Sequence, residues 1–462
     1  MKLKYIYAFL FLVFVVSLLV YFSNKGPVDN FVKEFNNSYL SEIEPNGTII
    51  EYDIVAAPSK LNFLGDTETN VWSYNGQIPG PVLRAELGDT IKVNFTNNLP
   101  QETTIHWHGV RVPNAMDGVP GVTQDAIEPG ESFVYEFIPK DAGTFWFHPH
   151  VRSSEQVERG LYGILIVEDP NDPEYSQDLV WVVDDWLIDG DNQIYEAFNT
   201  MHDLMHDGRW GNVITVNSQI QPSFPVAHGE RIRVRMINVS NARVYKPVFP
   251  SINPKVIAVD GMKVADNFNL VNFDLAPGNR LDLDITIPDD FSGDSINAID
   301  TFSKTTYKLA SLQVIPEFVD TPDFDLPKNE NIPNWTDAKD VEPNVVLDLD
   351  AIRQGMQIKW TINSQVFPDV ETITLESNKF NKILINNKST RLHPMHLHGQ
   401  FFKVLSRNGK EVEEDYWRDT VLVKANESVE IGLVPLDKGL WVNHCHALEH
   451  AEAGMMTIIE VI

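Results

Sequence analysis

From His444 to Met455 the chain reads His-Cys-His-Ala-Leu-Glu-His-Ala-Glu-Ala-Gly-Met, and Cys445 is the only cysteine among 462 residues. A copper ion that changes oxidation state favours one thiolate, two imidazoles and a weak thioether, a mix of soft and borderline donors. Cys445, His450 and Met455 supply three of those four from a single segment. If 442–446 is extended, alternation sends Cys445 to one face and both His444 and His446 to the other. The thiolate then holds one copper while its chain neighbours hold a second centre, which gives electrons a short covalent path. A free cysteine is often just a small buried apolar residue, but the three histidines around this one outweigh that reading. As a metal ligand it also needs no disulfide partner, which suits a lone cysteine in an exported chain.

Three more histidine clusters supply what a second centre needs. His106 and His108 flank Trp107, His148 and His150 flank Pro149, and His393, His396 and His398 lie in His-Pro-Met-His-Leu-His-Gly. The i, i+2 spacing puts both imidazoles of a pair on one face of an extended chain. Ten of the 13 histidines fall in these four clusters, leaving His202, His206 and His228 outside. Core-packing histidines do not group in this way.

With these motifs in this order, the chain resembles the multicopper oxidases of the three-domain bacterial laccase and copper-efflux oxidase type, over nearly all of its length beyond the N-terminal segment. The resemblance implies four copper ions. The type 1 ion would be held by His393, Cys445, His450 and Met455, and the type 2 ion by His106 and His396. The type 3 pair would use His108, His148 and His446 on one ion and His150, His398 and His444 on the other. It also implies the reaction: four one-electron oxidations of a donor at Cys445, coupled to reduction of dioxygen to two waters at the trinuclear cluster. That reduction consumes protons, so a carboxylate relay is expected. Asp117, in Met-Asp-Gly-Val-Pro after His108, stands where the family places such an acid, although Asp-Gly is also an ordinary turn. Similar bacterial oxidases often carry a second acid directly after the histidine matching His450. Here Ala451 takes that place, and Glu449 and Glu452 are the nearby candidates.

The elements that must position these residues read as β-strands. Apolar alternating runs such as 90–96, 230–237 and 428–433 recur between Gly, Pro, Asn and Asp turns, with few long amphipathic helices. At ~150 residues per domain the length allows about three. We expect an all-β fold of three consecutive cupredoxin-like Greek-key sandwiches at 44–170, 178–316 and 342–462, the Greek-key form following from the resemblance. The ligands lie only in the first and third, so the cluster is expected between them, with the middle domain as a spacer. Before them, Lys2 and Lys4 precede an uncharged, mostly apolar run at 5–22, and 1–25 is expected to be a hydrophobic helix serving as signal-anchor or signal peptide. Either export reading puts the copper domains in the periplasm or otherwise outside the cytoplasm.

A formal charge of -29 argues against nucleic-acid binding, which needs a basic face, and suits a soluble exported domain or the approach of cationic donors. The partners implied are dioxygen and a small reducing substrate: a phenol or aromatic amine, Cu(I) or Fe(II). Copper-efflux oxidases carry a methionine-rich insertion in the third domain, whereas here 354–367 contains only Met356, and Ser389, Thr390, Arg391 and Leu392 before His393 include no acid. Met201, His202, Met205 and His206 form one further cluster of soft and borderline donors at helical spacing. The alternatives are a copper carrier or partner-binding protein of the same fold, and copper nitrite reductase, whose two-domain plan the third domain and eight clustered histidines disfavour.

Overall fold

The computed structural model describes residues 27–38, 43–65, 67–321, 323–355 and 357–462. Six sheets pair into three sandwiches whose strands occupy 49–168, 177–318 and 345–461, which is the expected all-β architecture. Alternation builds their cores. In Thr90–Asn97 the apolar Ile91, Val93 and Phe95 turn inward, and in Ser428–Leu433 so do Val429 and Ile431. Each such burial is worth ~1.5–3 kcal/mol.

One strand plan is laid down three times. The opening strands Ile49–Leu64, Gln177–Trp186 and Val345–Gln354 pair antiparallel with Thr67–Tyr74, Val213–Val216 and Gln357–Ile362. They pair parallel with Thr90–Asn97, Arg231–Asn238 and Asn381–Asn387. A parallel pair requires a crossover, and the chain makes it by visiting the facing sheet.

A tight turn recurs at the same point of each repeat: Asn75-Gly76, Asn217-Ser218 and Asn363-Ser364 all have positive φ. Asparagine accepts this region because its short amide can bond locally. In each turn its Oδ1 accepts the backbone N–H of Val55, Val182 or Asp348 at 2.7–2.8 Å. Its Nδ2 donates to the carbonyl of Asp53, Val180 or Val346 at 2.7–2.9 Å. The turn is thereby pinned back onto the opening strand.

Ahead of the sandwiches, the helix Pro27–Ser38 buries Phe31 and Phe35 against Phe380, Trp335 and Trp417. The run at 5–22 read as an anchor or signal lies outside the described residues. Among the described residues no helix is long and apolar enough to cross a membrane.

Candidate metal centre

Two strand pairs deliver the histidines. His106–His108 runs antiparallel to Gly143–His148 with His106 opposite His148, in a sheet of the first sandwich. His393–Leu397 runs antiparallel to Gly439–Cys445 with His396 opposite His444, in a sheet of the third. Rings meet across the gap: His106 stacks on His398 and His108 on His396, both with centroids 3.7 Å apart. Potential ligand atoms gather within 4.8 Å in the groups His106/His108/His396, His108/His148/His446 and His150/His398/His444. Two of these are the three-histidine sets expected for the type 3 pair, while His108 also joins the expected type 2 residues His106 and His396, and Asp117 forms a further group with His106 and His398.

The hydrogen bonds test whether a metal fits. The Nδ1 atoms of His106, His148, His396 and His444 lie 2.8–3.1 Å from the carbonyls of Asp117, Pro149, Asp419 and Cys445. His398 Nδ1 lies 2.9 Å from the Asp117 carboxylate. An acceptor fixes the ring proton on the nitrogen it faces and leaves the lone pair on the other. The opposite nitrogens of His106, His148 and His396 are buried without a hydrogen-bond partner, as is His108 Nδ1, an arrangement that a metal ion satisfies. Burial, then the neighbouring imidazoles, holds His108, His148, His150, His398 and His446 well below the ordinary histidine range, and brings His444 down to about 3. The rings are therefore neutral and able to ligate.

The second centre surrounds Cys445. Its Sγ lies 3.5 Å from His393 Nδ1 and 3.8 Å from His450 Nδ1, and these two nitrogens are 3.2 Å apart. Burial pushes the thiol up and brings His450 down to about 4, so a cation entering here displaces a thiol proton but no imidazole proton. His393 Nε2 is 2.9 Å from Ser389 Oγ, whose own hydroxyl donates to Asn387 Oδ1 at 2.8 Å. His450 Nε2 is 2.8 Å from the His206 carbonyl, and Trp360 packs on both rings at 4.3 and 4.9 Å. Met455 lies in the same apolar cluster as Cys445, whereas Met456, on the strand Met456–Val461, packs with Val119 and Val442.

Asp117 is both the turn residue and the neighbour of the cluster. It closes the short 3-10 turn Asn114–Met116, Gly118 follows at φ 81, and its carboxylate lies 2.9 Å from His398 Nδ1 and 3.3 Å from His106 Nδ1. The other two acids serve loops of the neighbouring sandwiches. Glu449, pushed up by burial to about 8, accepts from Asn241 Nδ2 and the Arg209 backbone, and Glu452 accepts from the Ser154 backbone and Asn199. Met201, His202 and Met205 form the short helix Met201–Met205, which ends beside His206 and lies over His450.

Sequence reasoning missed Asp419. It lies buried against the cluster, with Oδ1 3.2 Å from His108 Nε2, and is held by Arg280. Burial alone would raise its carboxyl, but Arg280 and His396 outweigh that and hold it down to about 2. The middle sandwich, expected as a spacer, thus reaches the cluster through Arg280 and through Gly278, which lies against His108. No spacing signal in Trp-Arg-Asp-Thr marks the residue.

Three family models, each described as multicopper oxidase, match successive parts of the chain, at 56–172, 177–295 and 340–462. A protein of Staphylococcus aureus named multicopper oxidase mco is 29% identical over 445 residues, covering 93% of this chain and 90% of its own. Among solved structures, a multi-copper oxidase from Pseudomonas thermotolerans superposes with a TM-score of 0.78 at 32% identity, covering 90% of this chain and 100% of its own. One from Campylobacter jejuni, described as a metallo-oxidase, gives 0.77 at 26% identity, covering 93% and 96%.

Proposed function

The chain belongs to the multicopper oxidase family, and on that premise we propose that it oxidises a reducing donor at the Cys445 centre and reduces dioxygen to water at the eight-histidine cluster. Bound copper supplies the redox chemistry: one ion at Cys445, His393, His450 and Met455 for accepting single electrons, and three among the histidines for the four-electron step. The observation that carries this reading is the segment 444–446, where Cys445 faces one centre and both flanking histidines face the other. The residues around the centres support it. Ser389 and the His206 carbonyl hold the type 1 imidazoles in register, and Trp360 keeps water from them. Asp117 holds a proton-accepting group at the cluster edge, suited to pass the protons that water formation consumes. The run at 5–22 is the basis for placing the copper domains outside the cytoplasm.

For the donor we favour a soft metal ion over a bulky phenol. The outer edge of His450 is covered by the His206 carbonyl, so an organic ring has no direct contact with it. The covering helix turns Met201 and Met205 outward, each 41% exposed, and stacks the rings of His202 and His206 at 4.3 Å. Thioether and imidazole suit Cu(I), and the bonds His450 to His206 and Trp360 to Leu204 link this turn to the centre.

The test is dioxygen uptake by the copper-loaded protein with Cu(I), Fe(II) and a phenol in parallel, and Cys445→Ser as control. Donor-dependent uptake that the control lacks is expected, fastest with Cu(I). No uptake above the control with any donor, at full copper loading, would shift the reading to copper carriage. Unchanged Cu(I) turnover after Met201→Leu with Met205→Leu would remove the donor assignment alone.

A further inference from the structure

The three sandwiches meet at one guanidinium. Arg280 is fully buried at the head of the middle-sandwich strand Arg280–Thr286, and every one of its N–H groups is used. Nε donates to the carbonyl of Thr144 in the first sandwich at 3.1 Å. Nη1 donates to Gly278 O at 3.0 Å and Asp419 Oδ1 at 2.9 Å, and Nη2 to Asp260 O at 2.7 Å and Asp419 Oδ2 at 2.6 Å. Asp419 belongs to the third sandwich, directly before the strand Thr420–Val423. A two-pronged arginine pair of this kind fixes the carboxylate in its plane, which a lysine cannot do.

The clamp bears on one ring in particular. Asp419 Oδ1 faces His108 Nε2 at 3.2 Å and also accepts from Thr420 Oγ1 at 2.8 Å, while the Asp419 carbonyl faces His396 Nδ1 at 3.0 Å. His106, His148, His396, His398 and His444 are all capped at Nδ1, whereas His108 is capped at Nε2 and leaves Nδ1 without a partner. It must therefore carry the opposite tautomer. Glycine makes room for the arrangement on both sides. At Gly109, φ 79, a Cβ would collide with Arg280 Nη2 and Asp419 Oδ2, and at Gly278, φ 88, it would come within 2.8 Å of His108 Cε1.

We propose that Arg280 is a positioning residue for the trinuclear cluster: by clamping Asp419 it keeps the His108 proton on Nε2 and so presents Nδ1 to the metal. The middle sandwich, which supplies no ligand, thus sets the geometry of a centre built by the other two. The proposal rests on copper occupying the eight-histidine cluster, which the wild-type copper content measures separately.

The test uses full-length Arg280→Gln, Arg280→Lys and Asp419→Asn proteins, copper-loaded beside the wild type. The readouts are copper retained against a chelator, the visible type 1 band, the type 2 electron paramagnetic resonance signal and the near-ultraviolet type 3 band. The type 1 band should persist while cluster copper is held about 10- to 100-fold more weakly and the type 2 signal changes, least in Arg280→Lys. Wild-type copper retention and cluster spectra in Arg280→Lys and Asp419→Asn would overturn the proposal. So would a parallel loss of the type 1 band in every variant that folds, which is the mark of a purely structural ion pair. A wild type that retains no cluster copper would overturn the copper reading and this proposal together.

Discussion

A carboxylate that touches two imidazoles of one cluster can orient the rings and also move protons, and these roles separate on substitution. In Asp117→Asn the amide oxygen can still accept from His398 Nδ1, now 2.9 Å from the carboxylate, so copper content should stay near that of the wild type. The acid is lost, and dioxygen uptake should fall by about 100-fold or more, the usual worth of general acid–base catalysis. Uptake and copper content measured on the same sample decide it, and a wild-type rate would remove the relay role. The sequence was most legible at this scale where ligands sit close together in the chain, because i, i+2 spacing in a strand already puts two side chains on one face. Asp419 escaped because its contact with His108 spans 311 positions and rests on Arg280, and neither residue has a local mark. Met455 falls in the apolar cluster of Cys445 and Met456 in that of Val442, a division of two adjacent methionines that chain spacing does not carry.

Among the elements, the repeated asparagine turn is the sharpest stability lever. In Asn217→Ala the chain loses bonds of 2.8 and 2.7 Å to Val182 and Val180 and must hold alanine at φ 52. The cost should be about 2–4 kcal/mol. Thermal unfolding should begin several degrees lower, with the type 1 band intact below the transition. An unchanged melting profile would show that the turn forms without its side chain. The repeat is plain in the sequence as Asn-Gly-Gln-Ile at 75–78, Asn-Ser-Gln-Ile at 217–220 and Asn-Ser-Gln-Val at 363–366, and reading strands singly conceals it. Alternation predicted that strands exist and which face is apolar. It could not predict the parallel pairings, which depend on where a returning chain finds an open edge.

For the whole molecule, burying so many neutral imidazoles ties stability to pH. A histidine whose folded value is depressed keeps its contribution above the unfolded value of ~6.5 and loses it as pH falls toward the folded value. For His450 and His444 the folded values are about 4 and about 3. Glu158 and Glu449, raised by burial to about 7 and about 8, act oppositely and lose stability as pH rises above ~4.5. The histidines outnumber them, so metal-free protein should be most stable near neutrality and melt at steeply lower temperature between pH ~6.5 and ~4. Copper should raise the melting temperature and carry the same slope to lower pH, because occupied lone pairs keep the folded imidazoles unprotonated while those of the unfolded chain still take up protons. Melting temperatures of both forms across this range test it, and a metal-free profile that is flat below neutrality would refute it. The contact between His108 and Asp419, 311 positions apart, also sets a schedule for synthesis. At ~5–20 residues per second, roughly 15 to 60 s separate the making of the two, and the ribosome releases Cys445 and His450 later still. For that interval the first sandwich carries its four imidazoles as a half-built and reactive chelator. An ion that arrives in that interval meets four of the eight imidazoles of the cluster and none of the Cys445 centre, which makes metal supply a matter of timing as well as of affinity.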